Sequence, residues 1–363
     1  MRILHISTPT GWRGGEQQVA HLINGLSGEV EQQFIMTPFE SELQKRMEQV
    51  VTCIGYQRKG SINFSLARLI KHTCEEYKID IIHAHDSHAH TAAFLSAVLF
   101  GNKTNILLSR RVDFKVSGNL FSKWKYNHPK IKSIIAVSEA IKNILLPVIR
   151  EKEKITVVYD GIDLSRYDVT INKSELKAQL NIPTGKILIG NLSALANHKD
   201  YPTFLRTANE LLKQHSNIHF VVAGDGPLRE EITNSVKAMG LGAHITFLGF
   251  RKDVPQILKL LDVFLMTSKT EGLGSVILEA FACGVPVVAT NAGGIPEIVK
   301  HNLTGLIAHV GDEIVLAKEV EQILSNAEIK NSLVSNATEF VKHFSVNATA
   351  NQTKSIYQSL LGK

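Results

Sequence analysis

The stretch LDVFLMTSKTEGLGSVILEAFACGVPVVAT, residues 261–290, contains patterns for a strand, a loop, a helix and a second strand, in that order. Its first apolar run predicts a buried strand, and Gly284 ends the helical pattern that follows the loop. The helix is expected to begin near Ser275, so Glu271 lies in the loop and Glu279 lies about one turn inside the helix. We expect both carboxylates to lie near the helix N-terminus, where free N–H groups attract anions.

The same alternation of apolar strands and helical patterns extends along the whole chain of 363 residues. Continuous apolar strands that alternate with helices are typical of parallel sheets covered by helices on both faces. Two such series, separated by a polar segment over residues 159–183, predict two doubly wound α/β domains. Because ligands bind at the carboxyl ends of parallel strands, we expect the site in a cleft where the two domains face each other.

The composition is that of a soluble globular protein, with 44% hydrophobic and 20% charged residues. The three cysteines match neither a metal site nor a disulfide framework, which suits a reducing compartment such as the cytoplasm. The formal charge of +6 is concentrated, since residues 101–150 contain ten Lys or Arg against two acidic residues. This basic region predicts an anionic partner: phosphate, a membrane surface or a nucleic acid.

Three further strand-to-helix turns carry candidate ligand-binding residues. His198 and Lys199 follow the strand KILIGNL, and a lysine there can meet a phosphate, although an exposed loop lysine is the alternative. Gly224 follows a second strand and allows the backbone to approach a ligand, and the turn ATNAGGIPEIV is expected on the same sheet edge. Gly14 and Gly15 open a helix in the first domain, but their spacing differs from the dinucleotide-binding pattern, so no nicotinamide site is expected.

Four histidines lie within IIHAHDSHAH, residues 81–90. His83 and His85 alternate onto one face at the end of a strand. The cluster is compatible with a metal site, with solvated polar residues at a strand end, or with a histidine presented to an acceptor substrate. We favour the last hypothesis for His85, because strand geometry rarely brings such closely spaced residues around a tetrahedral metal.

Residues 110–132 interleave aromatic and aliphatic side chains with seven basic residues. Phe121, Trp124 and Lys125 can share one helical face, and lysines can extend beside buried aromatic rings. The pattern predicts contact with an anionic membrane, to which each basic residue near the surface adds about 1 kcal/mol. The alternative is a solvated positive flank with Trp124 packed in the core. No nucleic-acid-binding module accompanies the charge, so a nucleic-acid partner is not expected.

Together these motifs resemble glycosyltransferase family 4, the retaining nucleotide-sugar transferases of GT-B fold. The resemblance runs over nearly the whole chain, through GWRGGEQQV, IIHAHD, AVSEAI, VVYDGID, HKDY, GDGPLREEI, FLGFRKDV, EGLGSVILEAFACGVPVVAT and GGIPEIV. Its most specific element is the pair of glutamates Glu271 and Glu279. It implies an acceptor-side domain over residues 1–163, completed by a helix over 346–363, and a donor-binding domain over residues 164–345.

The resemblance also implies roles for individual residues. Glu271 and the backbone after it hold the donor sugar, Glu279 binds the nucleotide ribose, and Lys199 neutralises the departing diphosphate. The candidate catalytic residues are Glu271, Lys199 and His85. The candidate substrate-binding residues are Gly14, Gly15, Asn191, His198, Gly224, Phe250, Arg251, Gly272, Leu273, Gly274, Ser275, Val276 and Glu279. The family commonly has an arginine at the position of Asn191. The alternatives are that His198 or Arg251 supplies the missing phosphate contact, or that Lys199 acts alone.

Retention in such folds is usually drawn as front-face attack, in which the leaving phosphate takes the proton of the acceptor hydroxyl. No protein nucleophile, metal or other cofactor is then expected. The resemblance implies transfer from a nucleotide diphosphate sugar, with a UDP-sugar favoured over a GDP-sugar, to a sugar or lipid-linked acceptor in cell-surface glycan or glycolipid synthesis. The expected location is the cytoplasm, including the inner face of the cell membrane. The alternatives are a GT-B sugar-nucleotide epimerase and a non-catalytic partner subunit of the same fold.

Overall fold

The computed structural model describes residues 1–60, 63–116 and 118–362. The chain divides into two compact units. Unit 1 comprises Met1–Gly161 together with Val346–Lys363, and unit 2 comprises Ile162–Ser345. Each unit is built on a parallel sheet, so the predicted α/β class with two doubly wound domains is confirmed.

The strands of unit 1 are β1 (Arg2–Ile6), β2 (Gln32–Pro38), β3 (Thr52–Tyr56), β4 (Ile81–Ala84), β5 (Asn105–Arg110), β6 (Ile131–Ala136) and β7 (Ile155–Val157). Their order in the sheet is β3-β2-β1-β4-β5-β6-β7, and neighbouring strands are parallel. The winding direction therefore reverses at β1, which has β2 on one side and β4 on the other. In doubly wound sheets, ligands bind at the carboxyl ends of the strands beside such a reversal.

The helices of unit 1 before the boundary are α1 (Gly14–Gly25), α2 (Glu42–Met47), α3 (Phe64–Glu76), α4 (Ser87–Phe100), α5 (Leu120–Tyr126) and α6 (Glu139–Leu145). Helix α4 begins after Asp86, whose side chain accepts bonds from the backbone N–H groups of His88 and Ala89. Such a cap satisfies donors that the first helical turn leaves unpaired. Asp86 also accepts bonds from Thr8, which follows β1, so it joins the two strands beside the reversal.

The strands of unit 2 are β8 (Ile187–Leu192), β9 (Ile218–Ala223), β10 (Ile245–Gly249), β11 (Val263–Met266), β12 (Val287–Thr290) and β13 (Leu306–Ala308). They are parallel in the order β10-β9-β8-β11-β12-β13. Here the winding direction reverses at β8, between β9 and β11. The sheet is buried under aromatic and aliphatic side chains, among which Phe204 packs edge-on against Phe220.

The later helices are α7 (Lys173–Gln179), α8 (Tyr201–Leu212), α9 (Arg229–Ala238), α10 (Val254–Leu260), α11 (Ser275–Ala282), α12 (Ile295–Ile298), α13 (Glu313–Ser325), α14 (Ala327–Phe340) and α15 (Val346–Leu360). Short 3₁₀ helices cover Lys152–Lys154, Leu164–Tyr167, Asn197–Lys199, Gly242–His244 and Val341–His343. Helix α15 belongs to unit 1, where Ala350 and Tyr357 share a core cluster with Leu22 of α1. None of the helices in the described part of the chain combines the length and apolar character needed to span a membrane.

Candidate functional site

The reversal at β8 brings two loops of unit 2 together at the carboxyl edge of the sheet. Lys199 follows β8, and Glu271 follows β11, the strand paired with β8. The ammonium group of Lys199 contacts a carboxylate oxygen of Glu271, and the two side chains are 13% and 12% exposed. An ion pair so shielded from water is screened less than a surface pair. Two residues singled out in the sequence thus form one charged pair.

Neighbouring residues fix the position of Glu271 in its loop. The Ser268 hydroxyl donates to its carboxylate over 3.4 Å, and its backbone carbonyl accepts the Gly294 N–H over 3.0 Å. Gly293 has φ +51°, and a Cβ atom there would lie 1.9 Å from the Glu271 carbonyl oxygen. Only glycine combines this backbone conformation with so close an approach. The Gly-rich turn after β12 therefore supports the Glu271 loop.

Hydrogen bonds to backbone carbonyl groups also join the Lys199 loop to the Glu271 loop. The Thr267 hydroxyl donates to the carbonyls of Lys199 and Asp200, over 3.2 and 3.1 Å. The Lys269 N–H donates to the His198 carbonyl over 2.8 Å. His198 itself keeps a partly exposed side chain next to Lys199. The position of Lys199 relative to Glu271 is therefore set by several bonds besides their direct contact.

Helix α11 begins at Ser275, as the sequence predicts, and Gly274 precedes it with φ +88°. A Cβ atom at Gly274 would lie 3.7 Å from Cγ of Glu271, so the helix start and the carboxylate are adjacent. Gly272 and Leu273 are buried in the same loop, whereas the first two helical residues, Ser275 and Val276, are partly exposed. The free N–H groups and the positive dipole end of α11 thus lie beside the Lys199–Glu271 pair.

Glu279 lies one turn inside α11, against the 3₁₀ helix Leu164–Tyr167. Desolvation raises the pKa of Glu279 from 4.5 to about 7, although the charge of Arg166 and a hydrogen bond from Tyr167 oppose the rise. A carboxyl with this pKa changes charge near neutral pH. No pattern in the sequence indicates Arg166 or Tyr167, because both lie in the polar segment between the two series of strands.

The residues predicted to bracket the nucleotide base lie at the ends of β9 and β10. Gly224 has φ +146°, and a Cβ atom there would lie 1.9 Å from the Ser193 carbonyl oxygen. The loop after β8 therefore requires this glycine, whatever its role toward a ligand. Phe250 is exposed, and Arg251 donates two bonds to Asp253, over 2.9 and 2.7 Å. This bidentate pair fixes the orientation of the Arg251 guanidinium.

The structure corrects the assignment of Asn191 as a substrate ligand. Asn191 is buried, and its amide donates to the Leu265 carbonyl over 2.8 Å. Its Oδ1 accepts a bond from the Ser193 hydroxyl over 2.6 Å, and the Tyr201 hydroxyl lies 3.3 Å from the same atom. Asn191 therefore joins β8 to β11 from inside the fold, and its polar atoms are already bonded.

In unit 1, β1 adds a third histidine to the two predicted on β4. His5 of β1 is the register partner of His83, and His5, His83 and His85 are all buried. His83 is bonded at both ring nitrogens: Nδ1 lies 2.6 Å from the Tyr357 hydroxyl and Nε2 lies 2.7 Å from the Ser109 hydroxyl. The sequence does not indicate His5, because strand pairing between β1 and β4 is set by the topology of the sheet.

The bonds of His85 define its tautomer. Arg111 can only donate, so its contact of 3.4 Å with Nδ1 makes that nitrogen an acceptor and places the proton on Nε2. His85 Nε2 then donates to Nδ1 of His5 over 3.0 Å, and His5 Nε2 donates to Gln33 over 3.2 Å. Burial lowers the pKa of His5 and His85, which keeps both rings neutral. The prediction that His85 contacts a substrate is therefore corrected, because both of its nitrogens are bonded inside the unit.

Comparison with known protein families assigns the chain. Residues 12–166 match the family described as Glycosyltransferase Family 4, and residues 172–340 match the family described as Glycosyl transferases group 1. The chain belongs to the family 4 type of GT-B glycosyltransferases. The predicted resemblance is thereby confirmed, and so is glycosyltransferase activity as the class of reaction.

Individual relatives agree with this assignment. The glycosyltransferase is 26% identical over 305 residues to N-acetyl-alpha-D-glucosaminyl L-malate synthase of Bacillus anthracis, which covers 82% of this chain and 80% of the relative. It is 32% identical over 191 residues to 2-deoxystreptamine N-acetyl-D-glucosaminyltransferase of Niallia circulans, over 51% of this chain and 48% of the relative. The crystal structure of Anabaena Alr3699/HepE in complex with UDP-glucose matches with a TM-score of 0.86 and 22% identity, over 99% and 100% of the two chains. That likeness confirms the GT-B fold.

The three buried histidines of the glycosyltransferase, His5, His83 and His85, test the alternative hypothesis of a metal site. One nitrogen from each of His5, His83 and His85 lies within 4.8 Å of the other two, the only such grouping of three ligands in the described ranges. Bonds to one another and to neighbouring groups already occupy these nitrogens. A metal ion would have to replace those bonds beside the cationic Arg111. The cluster therefore fits a hydrogen-bonded network better than a metal centre.

Two further features of the glycosyltransferase lie near the carboxyl edge of its first sheet. Arg111 Nε lies 3.1 Å from Oδ1 of Asp160, and this largely buried ion pair holds the guanidinium that contacts His85. Gly14 and Gly15 begin α1, as the sequence predicts. A Cβ atom at Gly15 would meet nothing within 4 Å, so the protein's own packing does not require glycine there.

Proposed function

We propose that this glycosyltransferase moves a sugar from a UDP-sugar to an acceptor hydroxyl with retention of the anomeric configuration. The observation that carries the proposal is the contact between Lys199 and Glu271 beside the N-terminus of α11. A cation and a helix N-terminus are suited to a diphosphate, and a carboxylate is suited to sugar hydroxyls. The names of two relatives, which describe N-acetylglucosaminyl transfer, and the UDP-glucose complex of the Anabaena protein support the donor class.

Donor binding would rearrange the Lys199–Glu271 pair. The pyrophosphate binds at the N-terminus of α11, near Ser275 and Val276, and Lys199 turns from the carboxylate to a phosphate oxygen. Glu271 is then available to accept bonds from the sugar hydroxyls, together with the loop backbone of Gly272 to Gly274. Glu279 accepts bonds from the ribose, and Phe250 stacks on the base while the Arg251 guanidinium keeps its fixed orientation.

The transfer step follows from these positions. The bond between the anomeric carbon and the phosphate oxygen breaks, and the acceptor oxygen bonds to the same face of that carbon. The leaving phosphate oxygen takes the proton of the acceptor hydroxyl, so no protein nucleophile forms an intermediate. Negative charge grows on the departing diphosphate, where Lys199 and the α11 dipole stabilise it. These groups supply the positive charge without a metal ion, and we propose that none is required.

Acceptor binding is assigned to unit 1. His85 acts there as a positioning residue for Arg111 and not as a direct ligand, because its nitrogens bond Arg111 and His5. We propose that the acceptor is a sugar or a lipid-linked sugar of the cell envelope. The protein would then work in the cytoplasm, at the inner face of the membrane.

The surface around α5 supports a membrane contact. Large apolar side chains are exposed along residues 112–124, and Leu120 reaches 86% exposure. Lys115 and Lys123 are exposed in the same stretch, so an apolar surface is bordered by positive charge, as anionic membranes favour. The exposed apolar residues of this stretch are Val112, Phe114, Leu120, Phe121 and Trp124. The prediction that Phe121, Trp124 and Lys125 share one helical face is corrected for Lys125, because its side chain is buried whereas the two aromatic rings are exposed.

A panel of nucleotide sugars tests the proposed reaction. Thermal shifts with UDP- and GDP-sugars identify the donor, and NMR of the product with simple sugar acceptors gives the anomeric configuration. We expect a UDP-sugar to bind and the product to keep the donor's configuration. An isomerised donor without transfer to an acceptor would favour the epimerase alternative. Absence of binding by every sugar nucleotide would favour the non-catalytic subunit.

A further inference from the structure

A group of basic side chains in unit 1 has no role in the reaction described above. Arg110 ends β5, His90 lies in α4 and Lys125 lies in α5. Lys125 is 8% exposed and His90 is 3% exposed. Lys125 Nζ donates to the Thr91 hydroxyl over 3.0 Å, and Arg110 donates to the Tyr126 hydroxyl over 2.9 Å. Lys125 is therefore held away from water, and the partly exposed Arg110 lies near enough for its charge to act on Lys125.

The described residues place no carboxylate within ion-pair distance of Arg110 or Lys125. Asp86 is the acid whose charge acts on Lys125, but its two carboxylate oxygens bond Thr8 and cap α4. Burial and the neighbouring Arg110 lower the pKa of Lys125 to about 8, so the ammonium remains largely charged at neutral pH. Holding the buried Lys125 ammonium beside a second cation is costly, and a bound anion relieves that cost.

Two polar atoms of the same group add to this argument. Arg110 Nε and His90 Nε2 are buried and bond no other described atom. Buried polar atoms nearly always have a hydrogen-bond partner, so two such atoms on neighbouring side chains indicate a ligand. The backbone of Lys125 lies beside the His90 ring, whose pKa is lowered by burial and by the nearby charges of Lys125 and Arg110. Whichever neutral tautomer is present, His90 Nε2 carries a proton and is a donor once the ring is protonated at both nitrogens.

We propose that Arg110, Lys125 and His90 form an oxyanion site that binds a phosphate group. Arg110 Nε and Lys125 Nζ donate to the phosphate oxygens, and His90 Nε2 donates after protonation, which the anion promotes. Free phosphate and the headgroup of an anionic lipid offer the same chemistry. The exposed apolar residues Phe114 and Trp124 lie in the same segment and favour the lipid. The lipid source rests on the membrane contact proposed above, whereas the oxyanion site itself does not.

Anion binding by the full chain tests the site without any transfer assay. Thermal unfolding is followed in inorganic phosphate and in sodium chloride of equal ionic strength. Phosphate at ten times its Kd should raise Tm by about 2–4 °C. An equal Tm in the two salts over the accessible range of phosphate concentration would overturn the proposal.

Matched variants assign the effect to the site. Lys125→Met should abolish the phosphate-induced rise in Tm. It should keep or raise Tm in chloride, because it replaces a buried charged side chain with an uncharged one of similar shape. Lys123→Met changes the exposed lysine of the same helix and should keep the full shift. Arg110→Lys retains the charge but removes the Nε donor, and should weaken phosphate binding at least about tenfold. A shift that survives in both Lys125→Met and Arg110→Lys would contradict the assignment.

Vesicles distinguish the two sources of phosphate. If a lipid headgroup binds, Lys125→Met should reduce sedimentation with phosphatidylglycerol vesicles, and inorganic phosphate should compete for the wild-type protein. If only free phosphate binds, the thermal shift remains while Lys125→Met and wild type sediment equally, which supports the site and excludes the headgroup. Phosphatidylcholine vesicles serve as the neutral control. Because no nucleotide sugar is involved, failure of these tests leaves the transferase proposal standing.

Discussion

Lys199 and Glu271 lie 72 residues apart in the chain and contact each other at the carboxyl edge of the second sheet. Their contact follows from the pairing of β8 with β11, since each residue lies in the loop after one of these strands. The pair places a cation and a carboxylate where a diphosphate sugar would need both. Its mutual neutralisation also lowers the cost of keeping either charge shielded before the donor arrives.

Lys199→Ala should slow sugar transfer far more than it weakens nucleotide binding. Its charge is needed most while the diphosphate departs, so we expect kcat to fall by about 10²–10³. Steady-state kinetics and titration with UDP separate the two effects. Lys213→Ala, an exposed lysine at the end of α8, serves as the control and should have wild-type kinetics. A loss of affinity at constant kcat would make Lys199 an ordinary binding residue.

Glu279→Gln should weaken donor binding and remove its dependence on pH near neutrality. Ribose hydroxyls favour the ionised carboxylate, so wild-type affinity should rise with pH through about 7, the pKa of this group. Loss of a charge-assisted bond costs about 1.5–3 kcal/mol at pH 8. Titrations of donor into both proteins at pH 6, 7 and 8 measure the effect. Parallel pH profiles for the two proteins would rule out Glu279 as the titrating group.

The raised pKa of Glu279 makes the stability of the fold depend on pH in the direction opposite to donor affinity. The folded protein holds the Glu279 proton more tightly than the unfolded chain, so this group's contribution to stability falls as pH rises from about 4.5 to 7. Above pH 7, Glu279→Gln should therefore unfold at a higher urea concentration than wild type. At pH 4 the two proteins should differ little. A variant that is less stable than wild type at pH 8 would refute this account.

Gly293→Ala should destabilise unit 2 and disturb donor binding together. The new methyl group would collide with the Glu271 carbonyl, and the positive φ adds strain. Gly311→Ala is a matched control in the same unit, because Gly311 has φ +80° and no atom within 4 Å of its Cβ position. The control should lose only about 1 kcal/mol and bind donor normally. Equal urea midpoints for the two variants would show that the close approach has no consequence.

Leu120→Ser combined with Trp124→Ser should reduce sedimentation with phosphatidylglycerol vesicles. Both side chains are exposed on α5, so the double variant should retain its fold while losing apolar contact with lipid. Phe64→Ser, at the exposed start of α3, removes a similar side chain elsewhere in unit 1 and is the control. If wild-type protein stays in the supernatant at low salt, the membrane contact should be abandoned and a soluble acceptor preferred.

Periodicity and turn chemistry were sufficient to predict the architecture and the positions of Glu271 and Lys199 in loops at strand ends. Residues 261–290 form β11, a loop, α11 and β12, because the apolar runs and the glycines agree on each boundary. Glu271 and Lys199 could be predicted because each follows an apolar strand, and strand ends of a parallel sheet share one edge. The proximity of α11 to the pair follows from the same loop.

Other parts depend on tertiary arrangement that a sequence does not contain. Asn191 follows the same pattern as a loop ligand, but it lies inside β8, where its amide bonds the neighbouring strand. The assignment of His85 changed because His5 reaches it from β1 and Arg111 reaches it from the segment after β5. In α5 the charged Lys125 is buried and the aromatic Trp124 is half-exposed, which is the reverse of the usual distribution. Lys125 is accommodated because Thr91 accepts its hydrogen bond and its ammonium lies over the Tyr126 ring. These outcomes are decided by neighbours far away in the chain.

Helix α15 delays the completion of unit 1 during synthesis, because it follows unit 2 in the chain. The ribosome makes Ile162–Ser345 before Val346–Lys363, so unit 2 has its full set of residues while unit 1 still lacks its last helix. Tyr357, which bonds His83 in the middle of the first sheet, leaves the exit tunnel only after all of unit 2 has been made. Until then His83 and the apolar face of α1 remain uncovered, and the nascent first unit is open to chaperones and proteases for the whole time needed to translate the second.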